Sequence, residues 1–340
     1  MEMSTPLFIA EVSANHLGSF DRAIQIIDAA SSAGASAVKF QTYTASTMTL
    51  DLDEFSVSSG HSLWGGRKLY DLYEEAFTPW EWHKRLFDHA RKLGLHPFSS
   101  PFDLSAVAFL ESLDAPMYKI ASLETGDHQL IKAVAETGKP LIVSTGATKW
   151  DEIEELVQVV EKTGNKDLTL LLCTSSYPSQ PVDAHLRRIE TLRERFGVKV
   201  GLSDHTLGIG VSIAAIALGA TAIEKHLTLK RSDGGADGAF SLEPDEFAML
   251  VKEGRSAAQS LGLPEWKMQD SEMESRRLRR SLYIVEDVKA GEVVTLENTR
   301  AIRPGGGCAP KLLEAMLGKK FRTDCFKGTP MSPSLVGMIE

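Results

Sequence analysis

The sequence predicts an α/β protein built as a (β/α)8 TIM barrel with a small C-terminal β-rich domain. Three observations lead to this fold class. Short apolar runs alternate with amphipathic helical stretches from residue 7 to about residue 261. Eight such strand–helix units in roughly 255 residues match both the number and the length of the units in a TIM barrel. Beyond residue 261 the alternation stops, and a polar stretch leads into short strands and turns.

The eight predicted strands are short apolar runs that end in polar residues. They comprise residues 7–13, 36–42, 96–101, 116–121, 140–144, 168–174, 198–203 and 220–226. Each is followed by a stretch with helical periodicity. The predicted helices comprise residues 22–33, 80–93, 105–113, 128–137, 151–162, 184–196, 209–218 and 245–261. A doubly wound sheet has fewer strands, so it would leave some of these units unused.

Two segments interrupt the repeat within and after the predicted catalytic domain, residues 1–261. Residues 43–78 follow the second predicted strand and are far longer than an ordinary βα loop of about 2–6 residues. Because barrel enzymes carry out their chemistry at this end of the strands, we predict a lid or specificity insert there. Residues 262–280 are polar and predict a linker. Residues 281–340 predict a separate small β-rich domain of about 60 residues, a size that is marginally stable alone.

The composition excludes several classes of partner. The chain of 340 residues carries a formal net charge of −9 and has no basic block. Nucleic acid and anionic membrane surfaces are therefore not expected as partners, since both require a cationic face. The three cysteines lack CxxC spacing and predict neither a disulfide framework nor a thiolate zinc site. No signal peptide or bilayer-spanning segment is predicted, so we expect a cytoplasmic protein.

Polar side chains stand at the end of every predicted strand. Strands buried on both faces should be almost entirely apolar, and buried charge costs desolvation energy. We therefore predict that these residues point into the mouth of the barrel and form an active site. The residues are Glu11, Lys39, Gln41, Ser99, Ser100, Lys119, Ser122, Glu124, Ser144, Thr145, Thr174, Ser175, Ser176, Tyr177, Ser203, Asp204, His205, Lys225 and His226.

His205 and His226 form the best candidate for a metal site. They end the seventh and eighth predicted strands, and neighbouring strands lie about 4.8 Å apart. Two imidazoles at the same height can share one divalent cation, with carboxylate, water or substrate oxygens completing its shell. A site with only two protein nitrogens is open, which suits catalytic Mn²⁺ or Mg²⁺ better than structural zinc.

Lys39 and Lys119 predict an anionic substrate. Two ammonium groups in one mouth would repel each other unless an anion with phosphate and carboxylate groups compensated them. Serine hydroxyls at the strand ends are suitable donors to its oxygens, namely Ser100, Ser122, Ser144 and Ser203. A lysine that forms a Schiff base, as in class I aldolases, is the alternative chemistry. It ranks lower because it would not need the histidine pair.

The strand-end motifs together resemble the sialic acid synthase family. The motifs are residues 9–16 (IAEVSANH), 38–42 (VKFQT), 118–122 (YKIAS), 144–146 (STG), 201–206 (GLSDHT) and 223–226 (IEKH). The tail, with residues 281–283 (SLY) and 303–305 (RPG), looks like the antifreeze-like (SAF) domain of that family. The resemblance covers essentially the whole chain in the same order.

Three further segments look like the pseudaminic acid synthase branch of the family. They are residues 63–66 (LWGG), 69–73 (LYDLY) and 78–83 (TPWEWH), in and just after the long insert. The resemblance implies condensation of phosphoenolpyruvate with 2,4-diacetamido-2,4,6-trideoxy-β-L-altropyranose and water, by C–O cleavage, to give pseudaminic acid and phosphate. The alternative within the family is an N-acetylneuraminate synthase that uses N-acetylmannosamine.

The resemblance also implies a role for each site residue. It makes His205 and His226 the ligands of Mn²⁺, Mg²⁺ or Co²⁺, and Glu11 and Glu124 the groups that handle protons. It assigns phosphoenolpyruvate to Lys39, Ser100, Lys119, Ser122, Ser144, Ser175 and Ser203. It assigns the sugar to Gln41, Tyr177, Asp237 and Arg303. A homodimer is implied, in which the SAF domain covers the partner's active site and brings Arg303 to it.

Two residues depart from the pattern of the sialic acid synthase family. Leu123 and Ser175 stand where sialic acid synthases typically have glycine and asparagine, which affects the geometry near the sugar and the phosphate.

The antifreeze-like tail alone would also fit an ice- or carbohydrate-binding module. Such a module would not explain the polar residues at the barrel mouth.

Overall fold

Eight parallel strands form a closed barrel in which each strand pairs with the next and the eighth pairs with the first. The computed structural model describes residues 5–58 and 63–338. The strands are β1 (Leu7–Glu11), β2 (Ala37–Thr42), β3 (His96–Pro101), β4 (Tyr118–Ile120), β5 (Leu141–Ser144), β6 (Leu168–Cys173), β7 (Lys199–Ser203) and β8 (Ala222–His226). This confirms the predicted TIM barrel.

Helices surround the barrel. They are α1 (Phe20–Ser32), α2 (Ala45–Met48), α3 (Leu69–Ala76), α4 (Trp80–Lys92), α5 (Leu104–Ser112), α6 (His128–Glu136), α7 (Trp150–Thr163), α8 (Arg188–Phe196), α9 (Gly210–Ala217) and α10 (Pro244–Ser260). The predicted helix 184–196 begins four residues late, because His185 has a φ of 43° and interrupts it. No helix in the described ranges is long and apolar enough to cross a membrane.

The long insert contains structure of its own. Helices α2 and α3 lie within residues 43–78, and an antiparallel bridge joins Ser56 to Lys68. The Lys68 ammonium lies 2.6 Å from the Asp51 carboxylate. Residues 59–62 of the predicted insert lie outside the described residues.

The barrel has two apolar layers that fix which strand residues face the interior. One layer packs between strands and helices, and it includes Phe8, Phe40, Val143 and Ile223. The other fills the interior with Ile9, Ala37, Phe98, Ile142, Leu171 and Ala222. Gly201 belongs to the interior side of β7, and a Cβ at this position would clash with the backbone of Ala222. Glycine therefore permits the close approach of β7 and β8 that brings their polar ends together.

The chain divides into two compact units, Met1–Gly262 and Leu263–Glu340. In the second unit, β9 (Ser281–Ile284) pairs antiparallel with β10 (Thr299–Ile302). The unit also contains α11 (Met273–Arg277), within the predicted linker, and α12 (Leu313–Met316). Its core is formed by Leu282, Ile284, Val288, Val294, Met316, Phe321 and Met331. Residues 339–340 of the predicted tail domain are not among the described residues.

Candidate active site

A layer of polar side chains lies directly above the apolar interior of the barrel. Side chains alternate along a strand, so residues two positions beyond the interior layer face inward again. These residues are Glu11, Lys39, Ser100, Lys119, Ser144, Cys173, Ser203 and Glu224, and all are buried. The structure thus brings together most of the predicted phosphoenolpyruvate residues with the predicted proton-handling residue Glu11.

Four charged residues in this layer form one ion-pair network, the charged floor: Glu11, Lys39, Lys119 and Glu224. The Lys39 ammonium lies 3.1 Å from Glu11 Oε2 and 3.2 Å from Glu224 Oε2. The Lys119 ammonium lies 3.7 Å from Glu224 Oε1. Glu224 is therefore the carboxylate shared by both lysines, and the Ser203 hydroxyl also donates to it at 2.9 Å.

The electrostatics of the charged floor separate its two carboxyl groups. Burial opposes ionisation of Glu224, but Lys119 and Lys39 outweigh it and hold the pKa of this carboxyl at about 2. Burial, together with the nearby charge of Glu224, raises the pKa of Glu11 despite Lys39. Burial also lowers the pKa of Lys119. An added anion would favour the ammonium form of Lys119, because opposite charge stabilises it.

Two hydroxyls beside the charged floor lack a hydrogen-bond partner. Within the described ranges, the buried Ser100 Oγ and Ser144 Oγ have no hydrogen-bond partner. A buried polar group left unpaired costs about 1–3 kcal/mol. Hydroxyls that face two ammonium groups can donate to the oxygens of an anionic ligand.

The remaining predicted serines meet around Gly146. The Ser122 hydroxyl accepts a hydrogen bond from the Gly146 amide at 3.0 Å. A Cβ at Gly146 would overlap Ser175 Oγ and crowd Ser122 Oγ and Cys173 Sγ. Glycine at this position therefore allows the loops after β4, β5 and β6 to converge on the site.

The two histidines lie side by side above the charged floor. Their ring centroids are 5.4 Å apart. His205 Nδ1 lies 3.1 Å from the Thr174 carbonyl, which can only accept, so this nitrogen carries a proton and Nε2 holds a lone pair when the ring is neutral. Burial opposes a charged His205, but the hydrogen bond to Cys173 outweighs it and raises the pKa of this histidine. His226 Nδ1 is buried and has no hydrogen-bond partner among the described residues. Burial, and then the neighbouring His205, lower the pKa of His226, which favours the neutral form that binds metals.

These residues fit a divalent cation bound in an open site. Within residues 5–58 and 63–338, no three His, Cys, Asp or Glu side chains form a closed metal cage. His205 would offer the lone pair of Nε2, and His226 has a ring nitrogen without a hydrogen-bond partner among the described residues. Together the two imidazoles would supply part of a coordination shell. The remaining positions would then be open to substrate oxygens or water.

The rim of the barrel around the histidines carries four further predicted residues. Burial raises the pKa of Glu124 to about 7, and its Oε2 has no hydrogen-bond partner in the described ranges. Gln41 Nε2 donates to Ser13 Oγ at 2.9 Å. Asp237 Oδ2 accepts from the Ala14 amide at 3.1 Å, and burial raises the pKa of this carboxyl to about 6. The Tyr177 ring lies 4.5 Å from that of His205.

Three predicted strand-end residues do not face the mouth. The Ser99 hydroxyl lies 2.6 Å from Thr42 Oγ1, on the helix side of the barrel. Asp204 and Lys225 also face outward, where the Lys225 ammonium lies 3.0 Å from Asp204 Oδ2. The prediction was wrong for these residues because adjacent residues on a strand point to opposite faces.

Two residues of the polar layer were not predicted as site residues. Glu224 lies two residues before His226, and Cys173 lies two residues before Ser175, so strand alternation alone places both inside. Cys173 Sγ is 3.9 Å from His205 Nδ1. Arg303, predicted to contact the sugar, belongs to the second unit, where it lines a surface pocket with Arg280 and Ile302.

Comparison with known proteins identifies the families that the two parts of this chain match. Residues 26–265 match the NeuB family, and residues 279–336 match the SAF domain. A pseudaminic acid synthase of Campylobacter jejuni is 42% identical over 328 residues, which is 96% of this chain and 95% of the relative. A pseudaminic acid synthase of Helicobacter pylori is 42% identical over 97% of both chains.

A solved structure extends the comparison to the fold. N-acetylneuraminic acid (sialic acid) synthetase from Leptospira borgpetersenii superposes with a TM-score of 0.72 at 32% identity. The match covers 80% of this chain and 90% of that chain.

Proposed function

The chain belongs to the NeuB family and carries a SAF domain, and we propose from this premise that it is a pseudaminic acid synthase. In this proposal it is a transferase that condenses phosphoenolpyruvate with 2,4-diacetamido-2,4,6-trideoxy-β-L-altropyranose and water. The products are pseudaminic acid and phosphate. The observation that carries the proposal is the charged floor with unpaired serine hydroxyls, directly below two neighbouring histidines.

We assign phosphoenolpyruvate to the polar layer. Its phosphate and carboxylate would contact the Lys39 and Lys119 ammonium groups, which are already held in place by Glu224. Ser100 and Ser144 would donate their unpaired hydroxyls to its oxygens. Charge-assisted hydrogen bonds of this kind are about twice as strong as neutral ones. Three further hydroxyls complete the assigned set, those of Ser122, Ser175 and Ser203.

We assign a divalent metal, Mn²⁺, Mg²⁺ or Co²⁺, to His205 and His226. When bound, such an ion supplies Lewis-acid polarisation of the sugar aldehyde. The protein contributes the fixed positions of the imidazoles, through the Thr174 carbonyl and the pairing of β7 with β8.

The proposed reaction forms one C–C bond and breaks one C–O bond. C3 of phosphoenolpyruvate attacks the aldehyde carbon of the open-chain sugar, and water adds to C2. Loss of phosphate then breaks the bond between C2 and the bridging oxygen. The water loses one proton as it adds to C2 and its second proton when the intermediate collapses to the ketone, and this second proton leaves with the phosphate. The two transfers left to the protein are protonation of the aldehyde oxygen and deprotonation of the attacking water.

Glu124 and Glu11 are the proposed groups for these transfers. Burial raises the pKa of Glu124 to about 7, so a large fraction of this carboxyl is protonated at neutral pH. We therefore assign Glu124 as the acid that protonates the aldehyde oxygen. Glu11, beside the Lys39 ammonium and the Ser13 hydroxyl, is assigned to the proton of the attacking water.

The sugar is assigned to the rim, where Gln41, Tyr177 and Asp237 would contact it.

We also propose a cytoplasmic homodimer in which the SAF domain covers the partner's site and supplies Arg303. Mixing Arg303→Ala and His205→Ala subunits tests this arrangement, because a heterodimer would then contain one intact site. Random mixing is expected to restore about a quarter of the wild-type sites. Mixed subunits that stay as inactive as each parent would contradict the exchange.

The second candidate is the same chemistry on N-acetylmannosamine, which the likeness to the Leptospira enzyme favours. Phosphate release with phosphoenolpyruvate and each sugar separates the two functions. We expect turnover of the diacetamido sugar, and turnover of N-acetylmannosamine alone would contradict the substrate assignment.

Borohydride trapping with pyruvate should label neither Lys39 nor Lys119, whereas labelling would support a Schiff-base aldolase.

A further inference from the structure

Trp64 connects the long insert to the rim of the proposed site. Its indole N–H donates to the Ala236 carbonyl at 3.0 Å, a contact between residues 172 positions apart in the chain. Its ring also lies 5.4 Å from that of Tyr177. The insert is thus fastened beside Asp237, one of the proposed sugar residues.

Aromatic rings continue from Trp64 to the two histidines. The Tyr177 ring contacts Phe240 at 5.2 Å and His205 at 4.5 Å, and Phe240 contacts His226 at 4.9 Å. We call Trp64, Tyr177 and Phe240 the aromatic wall. Because Phe240 and Tyr177 contact the histidines directly, Trp64 forms the end of the wall that is farther from them.

The polar atom of the Trp64 side chain is already engaged. Its only donor, the indole N–H, is bound to the Ala236 carbonyl, and an indole has no acceptor. A sugar hydroxyl against the ring face would lose water without gaining a hydrogen bond. A methyl group loses no hydrogen bond there and buries apolar surface. The face of the ring therefore discriminates between apolar and hydroxylated substituents.

We infer that Trp64 is a specificity-determining residue that contacts the far end of the sugar. This inference rests on the proposed function, in which the sugar aldehyde lies at His205 and His226. Trp64 adjoins Tyr177, whose ring lies against His205, so a sugar chain that starts at the histidines and follows the aromatic wall would present its far carbons to Trp64. Trp64 thus selects a sugar with an acetamido group and a methyl group at that end over one with hydroxyls.

The experiment compares Trp64→Ala and Trp64→Phe with the wild type. The kcat/KM of each variant is measured for the diacetamido sugar and for N-acetylmannosamine, together with the KM for phosphoenolpyruvate. Trp150→Ala is the matched control, because that indole is also partly exposed, on α7, and contacts Phe196 and Glu154. Trp64→Phe keeps an apolar ring if the alanine variant fails to fold.

We expect Trp64→Ala to reduce kcat/KM for the diacetamido sugar about 10- to 100-fold, the range of discrimination by apolar pockets. The loss should reside in the KM for the sugar, while the KM for phosphoenolpyruvate stays unchanged. The preference over N-acetylmannosamine should fall accordingly, and Trp64→Phe and Trp150→Ala should retain most of it.

An equal loss for both sugars, or an unchanged preference, would overturn the inference and leave a structural role for Trp64. Failure of the proposed function has a different signature, since the wild-type protein would then release no phosphate with the diacetamido sugar.

Discussion

Two buried charge clusters lie on opposite faces of the barrel wall, and their polar atoms are satisfied to different degrees. Inside, the charged floor adjoins the unpaired hydroxyls of Ser100 and Ser144. Outside, Asp204 and Lys225 form what we call the outer pair. Asp204 accepts hydrogen bonds from the Thr206 amide at 2.8 Å and the Ser212 hydroxyl at 2.6 Å, and it pairs with Lys225 at 3.0 Å.

The difference shows that buried charge alone does not identify a functional site. Both carboxylate oxygens of Asp204 and the Lys225 ammonium have partners among neighbouring residues, so the outer pair links the end of β7 to β8. The charged floor is accompanied by buried polar atoms whose partners must come from elsewhere. Unpaired polar atoms beside buried charge are therefore the better sign of ligand binding.

The largest expected effect comes from the histidines above the charged floor. His205→Asn should lower kcat by about 10⁴-fold, because polarisation by a metal contributes several kcal/mol to such reactions. Binding of Mn²⁺, followed by electron paramagnetic resonance, should weaken in parallel, while thermal stability changes little. His185→Asn is the control, since His185 is exposed and asparagine tolerates its positive φ. Retained Mn²⁺ affinity in His205→Asn would contradict the metal assignment.

The next largest effect should fall on the outer pair, in stability rather than activity. Lys225→Met leaves the buried Asp204 carboxylate without its ammonium partner, so the free energy of unfolding should drop by about 3–5 kcal/mol. Urea denaturation measures this loss, and adding Asp204→Asn in the same chain should recover part of it. If Lys225→Met were as stable as the wild type but inactive, the outer pair would belong to the site after all.

A smaller effect concerns the pH dependence set by Glu124. Burial raises the pKa of this carboxyl to about 7, and an acid loses activity as it deprotonates. The kcat/KM of the wild type should therefore decline as pH rises through about 7. Glu124→Gln should be about 100-fold slower and lack this decline. Persistence of the decline in the variant would assign it to another group, and Glu11→Gln serves as the comparison.

The sequence predicted the barrel and most of the inner layer because strand periodicity determines both. Alternation from the apolar runs gives Glu11, Lys39 and Ser144, and the adjacency of β7 and β8 anticipates the closeness of His205 to His226. The same rule, applied strictly, would have included Glu224 and excluded Lys225. The error arose from assigning neighbouring residues to one face.

Other features depend on contacts between residues that are distant in the sequence, which a local sequence pattern does not predict. The hydrogen bond from Trp64 to Ala236 joins the insert to the loop after β8, and its existence depends on the folded path of both segments. The unpaired state of Ser100 and Ser144 likewise depends on every neighbour in three dimensions. Sequence periodicity predicts which face of a strand a side chain occupies. Whether its polar atoms have hydrogen-bond partners depends on all the residues that surround it in the folded protein.

The central claim is that the charged floor, and not the outer pair, binds phosphoenolpyruvate. Titration calorimetry of phosphoenolpyruvate into the wild type, Lys119→Met and Lys225→Met tests it directly, with both variants checked for folding beforehand. Loss of a hydrogen bond to a charged group predicts a Kd about 10- to 100-fold weaker in Lys119→Met. Folded Lys225→Met should keep the wild-type Kd. Equal affinity in all three proteins, or weaker binding only in Lys225→Met, would contradict the account.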